Sequence, residues 1–221
     1  MRKIENRKLK TGNAGAFTLI ELLVVISIIA ILAAFIIPVI SSVWRTAYIN
    51  KTKAEMEQLE TAIDGYKTAY NVYPPGNSLT PPNPLVNPLY YELEGVTATN
   101  GSFTTLDGSS TVNPSAFGVT GFVNCTTGSG EDAHLAKNFL SGLKSGQIGT
   151  DAGVELLVAS VGGPDQNYQP LGQQGLNPWR YVYPGVNNPN GYDLWVQLVI
   201  RGHTNLICNW SSEVQMDTSL P

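Results

Sequence analysis

Catalysis by this chain would need a nucleophile with a base beside it, or side chains at metal-ligand spacing. The candidates are few: His134 and His203, Cys125 and Cys208, and scattered acids. Neither histidine falls in an H-x-x-E-H, G-x-S-x-G, phosphate-loop or C-x-x-C pattern. Glu131-Asp132 are neighbours in a Gly/Ser-rich stretch, where carboxylates are ordinarily solvated. Asp165, Asp193 and Asp217 form no ligand loop with them. The expectation is that the chain is not an enzyme. One acid is placed differently. Glu21 interrupts an otherwise apolar stretch, and an ionised carboxylate at the centre of a bilayer helix costs roughly 2.5–3.5 kcal/mol. Such a residue needs a compensating partner, unless it lies near the membrane interface.

The elements around Glu21 define its setting. Leu22 to Ile37 reads LLVVISIIAILAAFII, with Ser27 its one polar side chain. With Phe17 to Ile20 and Val39-Ile40 the run covers 17–40, about 36 Å as a helix and long enough for a bilayer core. It is too long for the apolar part of a secretory signal and lacks an A-x-A site after it. Residues 1–16 carry Arg2, Lys3, Arg7, Lys8 and Lys10 against Glu5, a net +4, whereas the remainder is net −8. The basic end is expected to stay cytoplasmic, which places the rest outside. No Lys or Arg lies between Lys67 and Lys137, so nucleic acid is not expected as the main ligand.

Past the apolar run, Met56, Leu59, Ile63, Tyr66 and Tyr70 step by three and four and draw one apolar stripe on a continued helix. Lys51, Lys53, Glu55, Glu57, Glu60, Asp64 and Lys67 make the polar side, and Pro74-Pro75 end the run. Pro38 falls inside this helix, where it either kinks the helix or marks the membrane exit. From 74 to 130, 36 of 57 residues are Gly, Pro, Ser, Thr or Asn, a loop composition dotted with aromatics. Ala133–Leu143 has the spacing of a short helix, and Val154–Val161 reads as a strand. Trp179–Tyr183, Tyr192–Ile200 and Thr204–Trp210 read as an antiparallel meander joined by turn-rich segments. Cys125 and Cys208 would both lie outside the cytoplasm, where a bridge worth about 4–5 kcal/mol is permitted. Two buried free thiols are the other reading, since sequence separation says nothing about proximity.

Gly15 to Pro38, GAFTLIELLVVISIIAILAAFIIP, closely resembles the prepilin signal of type IV pilins and type II secretion pseudopilins. The resemblance implies that a membrane prepilin peptidase cuts Ala16–Phe17 and that the new amino-terminal Phe17 is N-methylated. The family usually has Gly before the cut, and Gly15–Ala16 is the alternative bond. It implies further that Glu21 offsets the Phe17 amine and sets register during assembly, and that Pro38 is a point where the helix bends or melts. At the other end, Asn177-Pro178-Trp179 with Tyr181 and Tyr183, Pro184-Gly185, and Gly191-Tyr192-Asp193-Leu194-Trp195 are similar to the signature of the major pseudopilin of type II secretion. There a calcium loop follows; here Val196 to Trp210 contains no acid. Calcium is thus suggested by resemblance only, and no cofactor is expected.

The resulting expectation is an α+β, pilin-like chain: a long N-terminal helix packed on a small C-terminal antiparallel sheet. Its parts would be a leader at 1–16, a transmembrane and filament-core helix at 17–40, an amphipathic continuation at 41–73, a loop-rich insertion at 74–175 and a sheet at 176–221. Expected partners are copies of itself, minor pseudopilins, prepilin peptidase and an inner-membrane assembly platform. The expected location is the inner membrane, single-pass, with a periplasmic body. A type IV pilin for adhesion, motility or DNA uptake is the alternative within the family, and a membrane-anchored binding domain that never polymerises is the alternative outside it.

Overall fold

A computed structural model describes residues 17–128, 133–165 and 167–218, apart from the side chains of 35–42. Helix α1 spans Leu19–Tyr70, 52 residues. Its residues are mostly straight-chain or branched aliphatics with no glycine before Gly65, and Thr18 starts it. It stops where Asn71 takes a left-handed φ of 60° and donates its N–H to the Lys67 carbonyl at 2.7 Å. Two compact units divide the chain, Met1–Trp44 and Arg45–Pro221.

In the first unit the described large apolar side chains, from Leu19 to Leu32, are all exposed. A helix that is apolar all round requires apolar surroundings. Among the described residues no helix is long and apolar enough to cross a membrane; the stretch expected to span includes 35–40, whose side chains lie outside them. Pro38 is within the helical backbone, and its side chain is likewise outside the described residues.

In the second unit the stripe predicted from spacing turns inward. Leu59, Ile63 and Tyr66 are buried, Met56 and Tyr70 pack at the edge, and Ile49 extends the stripe toward the amino terminus. Glu55, assigned to the polar side, is instead buried, accepting hydrogen bonds from the Ser160 backbone N–H at 3.0 Å and from its hydroxyl. A carboxylate one position off the stripe is tolerated because two donors meet it.

The central segment is more ordered than its composition suggests. Helix α2, Leu89–Glu94, is wholly buried. Strands β1 (Val96–Thr99), β2 (Ser102–Thr105), β3 (Thr111–Val112) and β4 (Cys125–Thr126) form a sheet in the order β3-β2-β1-β4. β5 (Ile148–Asp151) and β6 (Val154–Leu157) make a separate hairpin. Ala133–Leu143 is not a helix. His134 bridges Thr127 and the Phe139 N–H donates to the Leu93 carbonyl, so this segment runs extended beside α2.

The C-terminal sheet has the order β10-β9-β8-β7, with β7 Arg180–Val182, β8 Asp193–Ile200, β9 His203–Cys208 and β10 Ser211–Met216. The three expected strands are antiparallel neighbours, and β10 is an additional edge strand. Leu194, Val196, Leu198 and Ile207 from this sheet share one core with α1, α2 and the central segment. The chain is thus α+β, consistent with a pilin-like fold.

A polar knot sits inside that core. Glu92 is 1% exposed, and its carboxylate accepts from Tyr66 Oη at 2.8 Å, Val123 N at 3.0 Å and Asn124 N at 3.1 Å. Asn124, fully buried, donates to the Glu92 and Lys137 carbonyls at 2.7 Å each and accepts from Tyr70 Oη at 2.6 Å. Burial raises the Glu92 pKa against these donors. Nearby Glu94 is pushed up to about 7, first by burial and then by the charge of Asp107, while the Asn138 amide at 2.7 Å opposes the shift.

Tyr66→Phe leaves one Glu92 oxygen short of a donor and should lower stability by about 1–3 kcal/mol, read as the urea midpoint of the detergent-solubilised chain. Glu94 holds its proton in the folded state, between the ordinary carboxylate range and about pH 7, after the unfolded chain has lost it. Stability therefore falls as pH rises through that window and levels off above it. Glu94→Gln should flatten the decline in Tm between pH 5 and 8; an unchanged slope would contradict the assignment.

Candidate functional site

At the start of α1, Phe17 and Thr18 precede the first helical turn. The Thr18 hydroxyl accepts from Glu21 N at 3.3 Å, and Glu21 Oε2 accepts from Thr18 N at 2.9 Å and Thr18 Oγ1 at 2.7 Å. This is a capping box: Ncap and N3 side chains satisfy each other's backbone N–H groups at the helix start. The Glu21 carboxylate therefore folds back toward the amino-terminal end, against the residue next to Phe17. Phe17 is 76% exposed, and Ile20, Val24 and Val25 lie with it around Glu21. Ser27 donates to the Leu23 carbonyl at 2.7 Å, so the polar side chain inside the apolar run is satisfied within its own helix.

Sequence reasoning singled out Glu21 and missed Thr18. The T-x-x-E spacing directly before an apolar run was the available signal. Gly15 and Ala16, the residues before the expected cut, lie outside the described residues, as do Glu131 and Asp132.

The similarity residues of the carboxyl end do structural work. Asn177-Pro178-Trp179 joins the β5–β6 hairpin to the C-terminal sheet: Val158 bridges Pro178, Trp179 N donates to the Leu157 carbonyl, and Asn177 Nδ2 donates to the Gln197 carbonyl at 2.9 Å. Asp193 organises the loop before β8. Its Oδ2 accepts from Val186 N and Asn187 N at 2.8 Å, and its Oδ1 accepts from Asn188 N at 2.9 Å. A Cβ on Gly185 would stand 2.6 Å from Asp193 Oδ1, so glycine is required there. Tyr192 stacks between Tyr73 and Tyr181 at ring distances of 5.1 and 5.6 Å. Leu194 enters the core, and Trp195 packs on the opposite face against Trp210.

The segment where resemblance would place a calcium loop is instead the end of β8, a two-residue turn and β9. Arg201 and Gly202 have φ of 56° and 78°, and Ile200 pairs with His203. The residues there do not fit calcium, which takes several carboxylate oxygens: Val196 to Trp210 contains no acid, and Asp217, the carboxylate that reaches the turn, already accepts from Thr204 N at 2.9 Å and faces His203 Nδ1 at 3.0 Å. Among the described residues no group of three His, Cys, Asp or Glu is arranged to hold a metal.

Cys125 and Cys208 are both buried and free, the second of the two readings that the sequence left open. They stand in different sheets, and burial raises both thiols above the ordinary range, the opposite of what a reactive thiolate needs. His134 faces the Cys125 carbonyl at 3.3 Å. His203 and Asp217 form an exposed pair at 3.0 Å, and the His203 hydrogen bond holds the Asp217 carboxyl below its usual range.

Residues 12–37 match the family model described as the prokaryotic N-terminal methylation motif. The chain carries a prepilin-type N-terminus. This match supports a structural subunit of type IV pilin or pseudopilin type, processed by prepilin peptidase, with a membrane-anchored N-terminus, an exported body and assembly into a pilus-like polymer. No curated protein and no solved structure matches the chain.

Thr18→Val removes the cap and should destabilise the first turn by about 0.5–2 kcal/mol. In bicelles the amides of Leu19 to Leu22 should exchange faster, with Thr18→Ser restoring their protection.

Proposed function

We propose that the chain is a pseudopilin of a type II secretion system, cut at Ala16–Phe17, N-methylated on Phe17 and assembled into a helical filament that aids protein export. The observation that carries this reading is the capped FTLIE segment opening a helix whose described apolar side chains from Leu19 to Leu32 are all exposed. Such a helix exchanges lipid for neighbouring helices at little cost, since both surroundings are apolar. Glu21 supplies the one charge in that layer able to offset a Phe17 amine and fix register. The NPW and YDLW segments favour secretion over adhesion, motility or DNA uptake. Before assembly the chain sits in the inner membrane with its first residues cytoplasmic and its body periplasmic. There it meets prepilin peptidase, an assembly platform and minor pseudopilins.

A type IV pilin of another system is the second reading. It is favoured by the central segment, which builds a four-stranded sheet of its own rather than a plain loop.

Intact mass and amino-terminal sequence, taken from membranes with and without prepilin peptidase, test the proposal. The expected product is a peptidase-dependent chain beginning with N-methylated Phe17, with Glu21→Val cleaved but defective in filament formation. A chain beginning at Met1 under both conditions, or normal filaments from Glu21→Val, overturns it and leaves a membrane-anchored binding domain.

A further inference from the structure

We propose that the outward face of the C-terminal sheet holds a carboxylate-binding site made by Arg180, Trp195 and Gln197, with the Tyr168 hydroxyl now standing in for the ligand oxygen. The strand register places these side chains together. Arg180 on β7 is directly opposite Trp195 on β8, and Gln197 follows two residues along β8 on the same face. Leu194, Val196 and Leu198 point the other way, into the main core.

All three polar side chains are more than nine-tenths buried: Arg180 4%, Trp195 4% and Gln197 8% exposed. None is fully partnered. The guanidinium has five N–H donors and makes two hydrogen bonds, Nη1 to the Pro178 carbonyl at 3.3 Å and Nη2 to Tyr168 Oη at 2.6 Å. Neither acceptor is charged. Trp195 Nε1 and Gln197 Oε1 have no partner. Arg180 is the one buried cation among the described residues, and the one ion pair found among them is His203–Asp217, elsewhere on the sheet. Asp193, the acid next to this patch in the register, already accepts from the backbone of 186–188.

Buried cations are ordinarily paired, and buried donors ordinarily satisfied. An unpaired cation and an unpartnered indole donor on one patch of one face, with an orphaned amide oxygen on the same face, describe a donor set short of one anion. A carboxylate fits its shape: two coplanar oxygens accept from the guanidinium fork, and the indole N–H supplies a third donor. A half-turn of the Gln197 amide exchanges its orphaned oxygen for an NH2 group that completes the ring of donors. Tyr168 marks where the first ligand oxygen lies. It belongs to the loop after β6, so displacing its hydroxyl exchanges a neutral acceptor for a charged one without disturbing the strands. Burial also lowers the Arg180 pKa, a shift that an anion beside it would reverse.

The probes are sodium acetate, a short peptide with a free C-terminal carboxylate, the same peptide amidated, and sodium chloride at matched ionic strength. The readout is the indole N–H resonance of Trp195 in the full detergent-solubilised chain. Acetate or the free-acid peptide should move it saturably, while the amide and chloride should not. Saturation by acetate identifies a free small carboxylate as sufficient; saturation by the peptide alone identifies the end of a protein partner. Arg180→Lys, which keeps the charge and loses the fork, should weaken binding at least tenfold. Tyr168→Phe, which removes the competing hydroxyl, should tighten it about threefold. No saturable shift with either carboxylate, or equal shifts in wild type and Arg180→Lys, overturns the proposal.

Discussion

The described body depends on one buried carboxylate. Glu92 sits where the last turns of α1, helix α2 and the segment leading into β4 converge, and it accepts from all of these but α2, which carries it. Asn124 doubles the arrangement by binding Tyr70 one turn further along α1 and by holding the extended segment at Lys137. Apolar packing alone lets a helix slide or rotate against a sheet by small steps. Hydrogen bonds from two tyrosines one turn apart to two fixed acceptors do not. The knot thus converts a greasy contact into a defined register, at the expense of burying a charge that its surroundings raise in pKa.

The same helix carries exposed apolar side chains in its first part and a buried stripe in its second, and this division was legible in the residues. An apolar run without a stripe, followed by a stripe stepping three and four, announces lipid or helix packing first and sheet packing second. Glu55 shows the limit of the rule. Its type assigns it outward, yet Ser160 arrives from a distant segment to receive it. β10 was equally hidden, because SSEVQM has no apolar alternation and becomes a strand through pairing with β9. In the centre, composition misled in both directions. Leu89–Glu94 was submerged among Pro, Asn and Gly although it forms a buried helix. Leu135, Phe139 and Leu143 carry a helical spacing that the backbone does not use.

The candidate site was half readable. Glu21 betrayed itself as an acid among aliphatics, and resemblance supplied its neighbours. Thr18 drew no attention because a threonine beside a phenylalanine carries no chemistry by type; its meaning lies in a reciprocal bond across one helical turn. Asp193 was visible as part of a pattern and opaque as to purpose. Nothing in YDLW says that the aspartate is there to gather three backbone N–H groups of a loop preceding it.

The two cysteines are interior, unbridged and lifted in pKa. The folded molecule accordingly offers no accessible thiol of its own. A single cysteine introduced at any surface position becomes the one that an impermeant maleimide can label, with no need to strip the native pair first. The chain is thereby a ready background for mapping which faces meet in an assembly, one chemical tether at a time, in the cell envelope itself.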